Sequence, residues 1–267
     1  MTYLSRVRIN PLRAESRRLL ASPRALHGAV QGGLPGESDE RVLWRLDADN
    51  PRRPHLIVLT HSKPDWTHVI ERAGWPEAGG EHAFVRDYAP LLAHIAAGRE
   101  YAFRLTANPV QNTTTPLALT PAQADRLAKL PEGKKPRGFR LAHRTAAAQL
   151  GWFLDRAERW GFEVPKSRTD LAAPGLTPDA PPAADATVEH ASDAHEVRIT
   201  ARHRHSFLKG GQGAHVTFHS ATFEGHLRVT DPDALTARLL GGIGPAKAYG
   251  CGLLTLAPVA GVGNGAA

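Results

Sequence analysis

The most informative stretch of the chain reads GIGPAKAYGCG and runs from Gly242 to Gly252. Its two Gly-x-Gly pairs flank a short segment that contains Lys247. Glycine lets backbone N–H groups approach a ligand, or lets a loop pack closely on its neighbour, because it has no Cβ. The pattern therefore predicts either a cradle for a phosphate backbone or a site of very close packing.

The common nucleotide-binding motifs do not fit this loop. A Walker loop needs glycine at the position of Ala246 and serine or threonine at the position of Ala248. A dinucleotide fingerprint needs a third glycine where Lys247 stands and a strand before the loop. Here a predicted helix at 232–240 precedes the loop and a predicted strand at 253–256 follows it. This order favours a phosphodiester polymer over a mononucleotide as the ligand.

Outward from the loop, the hydrophobic pattern predicts an α+β fold of two tandem ferredoxin-like (RRM-like) βαββαβ domains. The first domain is expected over residues 1–95 and the second over residues 96–260. Strands of the first domain are predicted at 3–10, 41–47, 55–60 and 82–88, with helices that begin at Ser22-Pro23 and Pro64-Asp65. In the second domain the main helix is predicted at 143–160, and strands at 100–105, 196–200, 215–229 and 253–256. We expect a mobile insertion near 167–194 and a disordered tail at 261–267.

Composition narrows the class of protein. The 267 residues carry a formal net charge of +7, which favours a polyanionic partner, although a merely basic soluble protein would show the same charge. A single cysteine excludes an internal disulfide and any multi-cysteine metal site, and it favours a cytoplasmic protein. No apolar run reaches membrane-spanning length, so no membrane partner is predicted.

Several segments occur in the order found in one known family. They are the string from Gly241 to Pro258 and the segments LWRL at 43–46, FRLTANP at 103–109 and TFEG at 222–225. Through them nearly the whole chain resembles the CasE family of the RAMP superfamily, the precursor-RNA endoribonucleases of type I-E Cascade. The resemblance implies metal-independent cutting of precursor CRISPR RNA beside the repeat hairpin, with 2′,3′-cyclic phosphate and 5′-hydroxyl ends. It also implies retention on the crRNA with other Cascade subunits as partners, and no cofactor.

The first catalytic candidates lie on the helix that begins at Ser22. Metal-free RNA cleavage needs titratable groups and cations that converge on one phosphate. His27 lies about one turn inside this helix, and Arg24 shares its exposed face. Taken alone, His27 fits an ordinary surface histidine, but the resemblance implies an active-site histidine here. Many family members have tyrosine at the position of Arg24, and because arginine is not a base at neutral pH, the identity of the base stays open.

A second candidate cluster is RHRHSFLK at residues 202–209. In a strand its two arginines face one way and its two histidines the other. The resemblance implies that this region supplies a cation to the active site, so Arg204 and Lys209 are predicted catalytic residues, with a solvated basic edge strand as the alternative. His203, His205, His215 and His219 are the histidines that a zinc site in this region would use. No cysteine or close carboxylate completes that set, so no metal is predicted.

Two further groups are predicted to bind RNA. The first is a basic segment that surrounds Phe139 and suits a nucleic-acid groove, although a solubilising loop is the alternative. Its cationic members are Lys134, Lys135, Arg137, Arg140 and Arg144. The second is the glycine loop, with Lys247 either approaching RNA or capping nearby carbonyls. Its predicted contacts are Gly242, Gly244, Lys247, Gly250 and Gly252.

The sequence thus predicts a metal-independent endoribonuclease whose His27 and glycine loop lie on the same side of the molecule. The alternative is a non-catalytic RNA-binding subunit of the same superfamily, which would keep the basic patches but lack a working acid or base.

Overall fold

The computed structural model describes residues 1–36, 40–76, 82–114, 121–129, 138–167, 194–208 and 215–259. In the first half, strands β1 (Tyr3–Arg8), β2 (Leu43–Asp47), β3 (His55–Thr60) and β4 (Ala83–Asp87) alternate with helices α1 (Ala14–Leu20), α2 (Pro23–Gln31) and α3 (Thr67–Ala73). A short helix α4 (Ala89–Ala93) follows. The strands pair antiparallel in the order β2-β3-β1-β4, which is the ferredoxin-like arrangement.

The second half repeats this arrangement with insertions. Its strands are β5 (Glu100–Ala107), β6 (Val110–Thr113), β7 (Phe139–Ala142), β8 (Phe162–Glu163), β9 (Val197–Leu208), β10 (His215–Val229) and β11 (Leu254–Pro258). Its helices are α5 (Pro121–Ala128), α6 (Ala146–Ala157) and α7 (Pro232–Gly241). The main sheet runs β11-β5-β10-β8 with β9 paired to β10, while β6 and β7 form a separate ribbon. The predicted fold class, tandem ferredoxin-like domains, is confirmed.

Two predictions of local structure were incomplete. Helix α1 was not predicted because it lacks a start signal: its N-cap residue, Arg13, makes no capping hydrogen bond. On α6 the helical spacing of apolar residues predicts a buried stripe of Ala147, Leu150, Phe153, Leu154 and Ala157, but Ala147 is exposed. Gln149 and Trp152 are buried instead, since Gln149 accepts a hydrogen bond from Arg202 of β9 and the Trp152 indole donates one to the carbonyl oxygen of Val110.

The domain limits at residues 95 and 96 stay a proposal; β1–β4 precede this point and β5–β11 follow it. The expected insertion lies almost wholly outside the described residues, as does the expected tail at 261–267. Within the described ranges, no helix combines the length and the apolar character needed to cross a bilayer.

The first sheet packs on both faces. Helices α1, α2 and α3 pack on one face, and the core between them and the sheet includes Val7, Val58 and Leu26. The other face meets the second half of the chain, where Leu43 and Leu59 join the core built around its aromatic residues. The two halves therefore share one continuous apolar interface.

A buried arginine connects the two halves at this interface. The side chain of Arg45 on β2 is 4% exposed and pairs with Asp47, whose Oδ1 lies 2.6 Å from Nε. The same guanidinium donates to the carbonyl oxygens of Arg104 (2.9 Å) and Leu253 (3.0 Å) and to the hydroxyl of Thr255 (3.0 Å). A buried charge is tolerated only when it is paired and hydrogen-bonded, and Arg45 meets both conditions.

We expect Arg45→Ala to lower the free energy of unfolding by about 3–5 kcal/mol, because it removes the closest ion pair of partly buried Asp47 and the guanidinium donor to the buried carbonyl of Leu253. Urea denaturation measures this loss. The matched control is Arg52→Ala, which removes an exposed arginine and should change the value by less than about 0.5 kcal/mol. Equal effects of the two substitutions would contradict the role of Arg45.

Candidate active site

Helix α2 is fixed at both ends and along one side. The Ser22 hydroxyl accepts a hydrogen bond from the Ala25 N–H (3.2 Å), Pro23 occupies the first turn, and Gly32 ends the helix. Leu26 and Val30 are buried against the first sheet. The predicted helix is thus confirmed. The residue after Leu26 lies on the side of α2 that faces the second half of the chain.

That residue is His27, which is half-buried. Burial lowers the pKa of its imidazole below the ordinary 6.5, so the neutral form predominates at pH 7. Nδ1 is buried, and no group in the described residues forms a hydrogen bond with it. Nε2 is therefore the nitrogen that a ligand can reach. A neutral imidazole with one accessible nitrogen is suited to accept a proton.

An aromatic group from the glycine loop lies beside His27. The loop forms a 3₁₀ turn, Lys247–Tyr249, and the Tyr249 ring meets the imidazole edge-on with 6.5 Å between the ring centroids. Tyr249 also packs on Phe207 of β9 (4.9 Å) and Phe218 of β10 (5.9 Å). Helix α2, the glycine loop and the β9–β10 ribbon therefore meet at Tyr249, which borders His27.

The expected proximity of His27 and the glycine loop is present in the structure. Tyr249, however, was not among the predicted site residues. Its signal in the sequence was an aromatic residue inside a glycine-rich loop, but the contact with His27 joins residues far apart in the chain. Only the packing of α2 against the loop reveals it.

Arg24 is exposed on α2, one turn before His27, and its Nη1 lies 3.4 Å from the carbonyl oxygen of Leu208. Arg24 and Leu208 line a groove of about 680 Å³ between α2 and the end of β9, which also contains Arg18 and Arg72. This contact holds the end of β9 against the helix that carries His27. Lys209, the next residue, lies outside the described residues and stays a prediction.

Arg204 faces away from His27. On β9 it lies on the opposite face from His205 and Phe207, and it stands across from His219 of β10. Burial lowers the pKa of His219, and the positive charges of Arg144, Arg204 and Arg202 lower it further. We call Arg144, Arg202, Arg204 and His219 the basic cluster. A direct role for Arg204 in the chemistry stays a prediction.

The loop glycines serve close packing. A Cβ at Gly242 would lie 2.7 Å from Leu43, and one at Gly250 would lie 2.8 Å from Trp44, both on β2. Each also has a positive φ, 73° and 82°, a conformation that favours glycine. Gly242, Gly250 and Gly252 are buried, whereas Gly244 is exposed. Of the two alternatives posed by the sequence, close packing is observed at Gly242 and Gly250, and RNA contact stays a prediction.

Lys247 caps the end of a helix. Its Nζ donates to the carbonyl oxygen of Gly241 at the end of α7 (2.5 Å). Burial lowers its pKa, and Arg41 and Arg238 add to this effect. The capping alternative for Lys247 is thus observed, and contact with RNA stays a prediction.

The remaining predicted RNA-binding residues divide into two groups. Arg140 on β7 and Arg144 before α6 are exposed. Lys134, Lys135 and Arg137 lie outside the described residues. The four histidines weighed as a zinc site do not converge, because His203 and His205 face one side of the β9–β10 ribbon and His215 and His219 the other. No group of three metal-ligating side chains occurs in the described part of the chain.

Comparison with known proteins agrees with this architecture. Residues 2–258 match the protein family described as "CRISPR associated protein". The CRISPR-associated endoribonuclease Cse3 of Thermus thermophilus is 30% identical over 261 residues, which cover 96% of this chain and all of Cse3. The chain belongs to the CasE/Cse3 family of CRISPR-associated proteins. The Cascade subunit CasE of Escherichia coli K12 is 47% identical over 49 residues, or 18% of this chain and 25% of CasE.

Solved structures of the CasE/Cse3 family show the same fold. A structure of Cse3 bound to a 19-nucleotide RNA matches 96% of this chain and 99% of its own with a TM-score of 0.64 and 25% identity. A Thermus thermophilus Cse3 complex with an RNA that represents a pre-cleavage state matches equally well, with a TM-score of 0.64 and 24% identity.

We expect Gly250→Ala to lower the free energy of unfolding by about 3 kcal/mol, because the new methyl group meets Trp44 and the backbone keeps a positive φ. Thermal and urea denaturation test this. The control is Gly151→Ala inside α6, where a Cβ meets nothing within 4 Å and should add about 0.5–1 kcal/mol of stability. If both substitutions are neutral, close packing does not explain Gly250.

We expect Tyr249→Ala to raise the pKa of His27 toward 6.5, because removal of the ring admits water to the imidazole. NMR titration of the His27 ring protons measures this directly. Tyr249→Phe keeps the ring and should leave the pKa unchanged. A pKa that does not move in Tyr249→Ala would show that other groups bury His27.

Proposed function

We propose that this chain is a metal-independent endoribonuclease that cuts precursor CRISPR RNA beside the repeat hairpin. The observation that carries the proposal is His27, a neutral imidazole with one accessible nitrogen beside the glycine loop. Membership of the CasE/Cse3 family supports it, since the relative Cse3 is named an endoribonuclease and has been solved with bound RNA. We expect the enzyme to act in the cytoplasm, as its single cysteine favours.

In the proposed reaction, Nε2 of His27 takes the proton from a ribose 2′-hydroxyl. The 2′-oxygen then forms a bond to the adjacent phosphorus while the bond from phosphorus to the 5′-oxygen breaks. A proton donated to the leaving 5′-oxygen completes a 5′-hydroxyl end, and the other fragment keeps a 2′,3′-cyclic phosphate. The lowered pKa of His27 supports its role as the base, because the neutral form is abundant at pH 7.

Cations would stabilise the charge that develops on the phosphate. Arg24 is the nearest candidate, because it lies one helical turn from His27 and is exposed. Its guanidinium cannot replace the base but can hold two phosphate oxygens at once. Lys209 remains a further proposed cation, whereas Arg204, which faces away from His27, is proposed to contact RNA through the basic cluster.

The basic cluster would bind the stem of the hairpin. Arg144, Arg202 and Arg204 face the same side of the β9–β10 ribbon, and the phosphates of an RNA stem are gripped by charge and shape. Arg140 would extend this surface, and Gly244 and Lys247 would approach the strand near the cut. Lys134, Lys135 and Arg137 stay predicted RNA contacts. Retention on the product within Cascade is part of the proposal, in keeping with the Cascade subunit CasE among its relatives.

The second candidate function is a non-catalytic RNA-binding subunit of a CRISPR complex. It is favoured by Arg24, because an arginine stands where many family members have a tyrosine that can assist proton transfer. The two functions differ in what His27 does, and this difference can be measured.

We expect His27→Ala to slow single-turnover cleavage of a repeat hairpin by about 10²–10⁴-fold, the usual contribution of a general base or acid. The assay is run in excess EDTA, with end-group analysis of the fragments. The dissociation constant for the hairpin, measured by anisotropy, should stay within about twofold, because the basic cluster is intact. As a control, His94→Ala removes an exposed histidine of the first half and should cut normally.

The dependence of the cleavage rate on pH tests whether His27 acts as the base. As a base, His27 must be neutral, so the rate should fall as pH drops through a pKa below 6.5 and level off above it. Unchanged cleavage by His27→Ala would remove His27 from the mechanism, and cleavage abolished by EDTA would point to a metal-dependent nuclease. A wild-type chain that binds the hairpin but never cuts it would support the non-catalytic alternative.

A further inference from the structure

The first sheet has an exposed area beyond the interface between the two halves. Side chains of β1 alternate between its faces, so Val7 joins the core under the helices while Leu4, Arg6 and Arg8 share the other face. Leu4 packs against the second half of the chain, but Arg6 and Arg8 lie past that contact. There they line a groove of about 310 Å³, which we call the β1 groove. Its lining residues are Arg6, Arg8, Arg53, His55, His82 and Phe84.

Aromatic rings and guanidinium groups are paired along this groove. Arg6 stands directly across from Phe84 of β4, and its guanidinium carbon lies 4.9 Å from the ring centroid. Arg86 approaches the same ring at 5.9 Å. Arg8 lies 5.1 Å from the ring of Trp75. The groove therefore presents flat cationic and aromatic surfaces rather than isolated charged side chains.

Among the residues that the structure describes, no acidic side chain lines the groove. Within the described ranges, no carboxylate forms an ion pair with Arg6, Arg8 or Arg53. Burial lowers the pKa of His55, and the charges of Arg6 and Arg8 act in the same direction; Asp47, which opposes them, is itself paired with Arg45. Three arginines at one place, with no ion pair in the described part of the chain, favour an anionic partner.

We propose that the β1 groove is a second RNA-binding site, which takes a single-stranded segment of RNA. Phosphates would pair with Arg6, Arg8 and Arg53, and unstacked bases would stack on Phe84 and on the guanidinium planes. A duplex offers no base faces for stacking, so the combination favours a single strand. The groove lies on the face of the first sheet opposite α2, away from His27. This inference goes beyond the proposed function, because it needs neither the hairpin nor the cleavage step.

The test uses the full chain and a fluorescent oligouridine of about 12 nucleotides, which forms no hairpin and spans a typical single-strand site. The double variant R6A/R8A should weaken binding at least about tenfold and reduce the salt slope by about 1.4, or 0.7 for each lost phosphate contact. F84L, which keeps the volume but removes the ring, should weaken binding about fivefold, as expected for one lost stacking contact.

The matched control is R99A/R159A, which removes two exposed arginines elsewhere and should change oligouridine binding by less than about twofold. Hairpin cleavage by R6A/R8A should match the wild type, which separates a local effect from misfolding. If R6A/R8A also loses cleavage, oligouridine binding is measured with R6K/R8K, which keeps both positive charges. Restored binding by this variant supports the site, and continued loss of binding overturns it.

Two other outcomes overturn the proposal. One is oligouridine binding by R6A/R8A that equals that of R99A/R159A. The other is unchanged RNA binding by R6A/R8A together with loss of co-purification with Cascade subunits, which would make the groove a protein contact instead.

Discussion

The structure depends on a guanidinium buried between two similar halves. Arg45 belongs to the first sheet, but three of its hydrogen-bond partners, Arg104, Leu253 and Thr255, belong to the second half of the chain. Each ferredoxin-like half could pair its own strands without this residue. The orientation of one half on the other, however, requires that a charge buried on β2 find its acceptors on β5 and β11, because an unpaired charge there would be strongly destabilising.

The candidate active site follows from this orientation. The residues beside Arg45 on β2, Leu43 and Trp44, support the glycine loop, which approaches them so closely that side chains at Gly242 and Gly250 would collide. The loop in turn holds Tyr249 against His27 and against the β9–β10 ribbon. A shift between the halves would therefore change the burial of His27, and with it the protonation of the proposed base.

Separation of surfaces is the second consequence of the fold. The strand period of two sends Arg204 to the basic cluster and Phe207 to the aromatic contact with Tyr249, although the residues are close in sequence. The same period sends Val7 to the core, and Arg6 and Arg8 to the exposed groove. Basic residues that the composition counts together as one net positive charge thus lie on distinct surfaces with different geometries.

The sequence by itself determined the elements whose signals are local. Alternation marked β1, the Ser22-Pro23 cap marked α2, and the order of elements marked the tandem ferredoxin-like fold. It also identified His27, though only with the help of family resemblance. Tertiary structure alone decided that Tyr249 borders His27, that Arg204 faces away and that Lys247 caps α7. The contact of Tyr249 with His27 joins residues far apart in the chain, and its geometry depends on how the two halves pack, which no local pattern encodes.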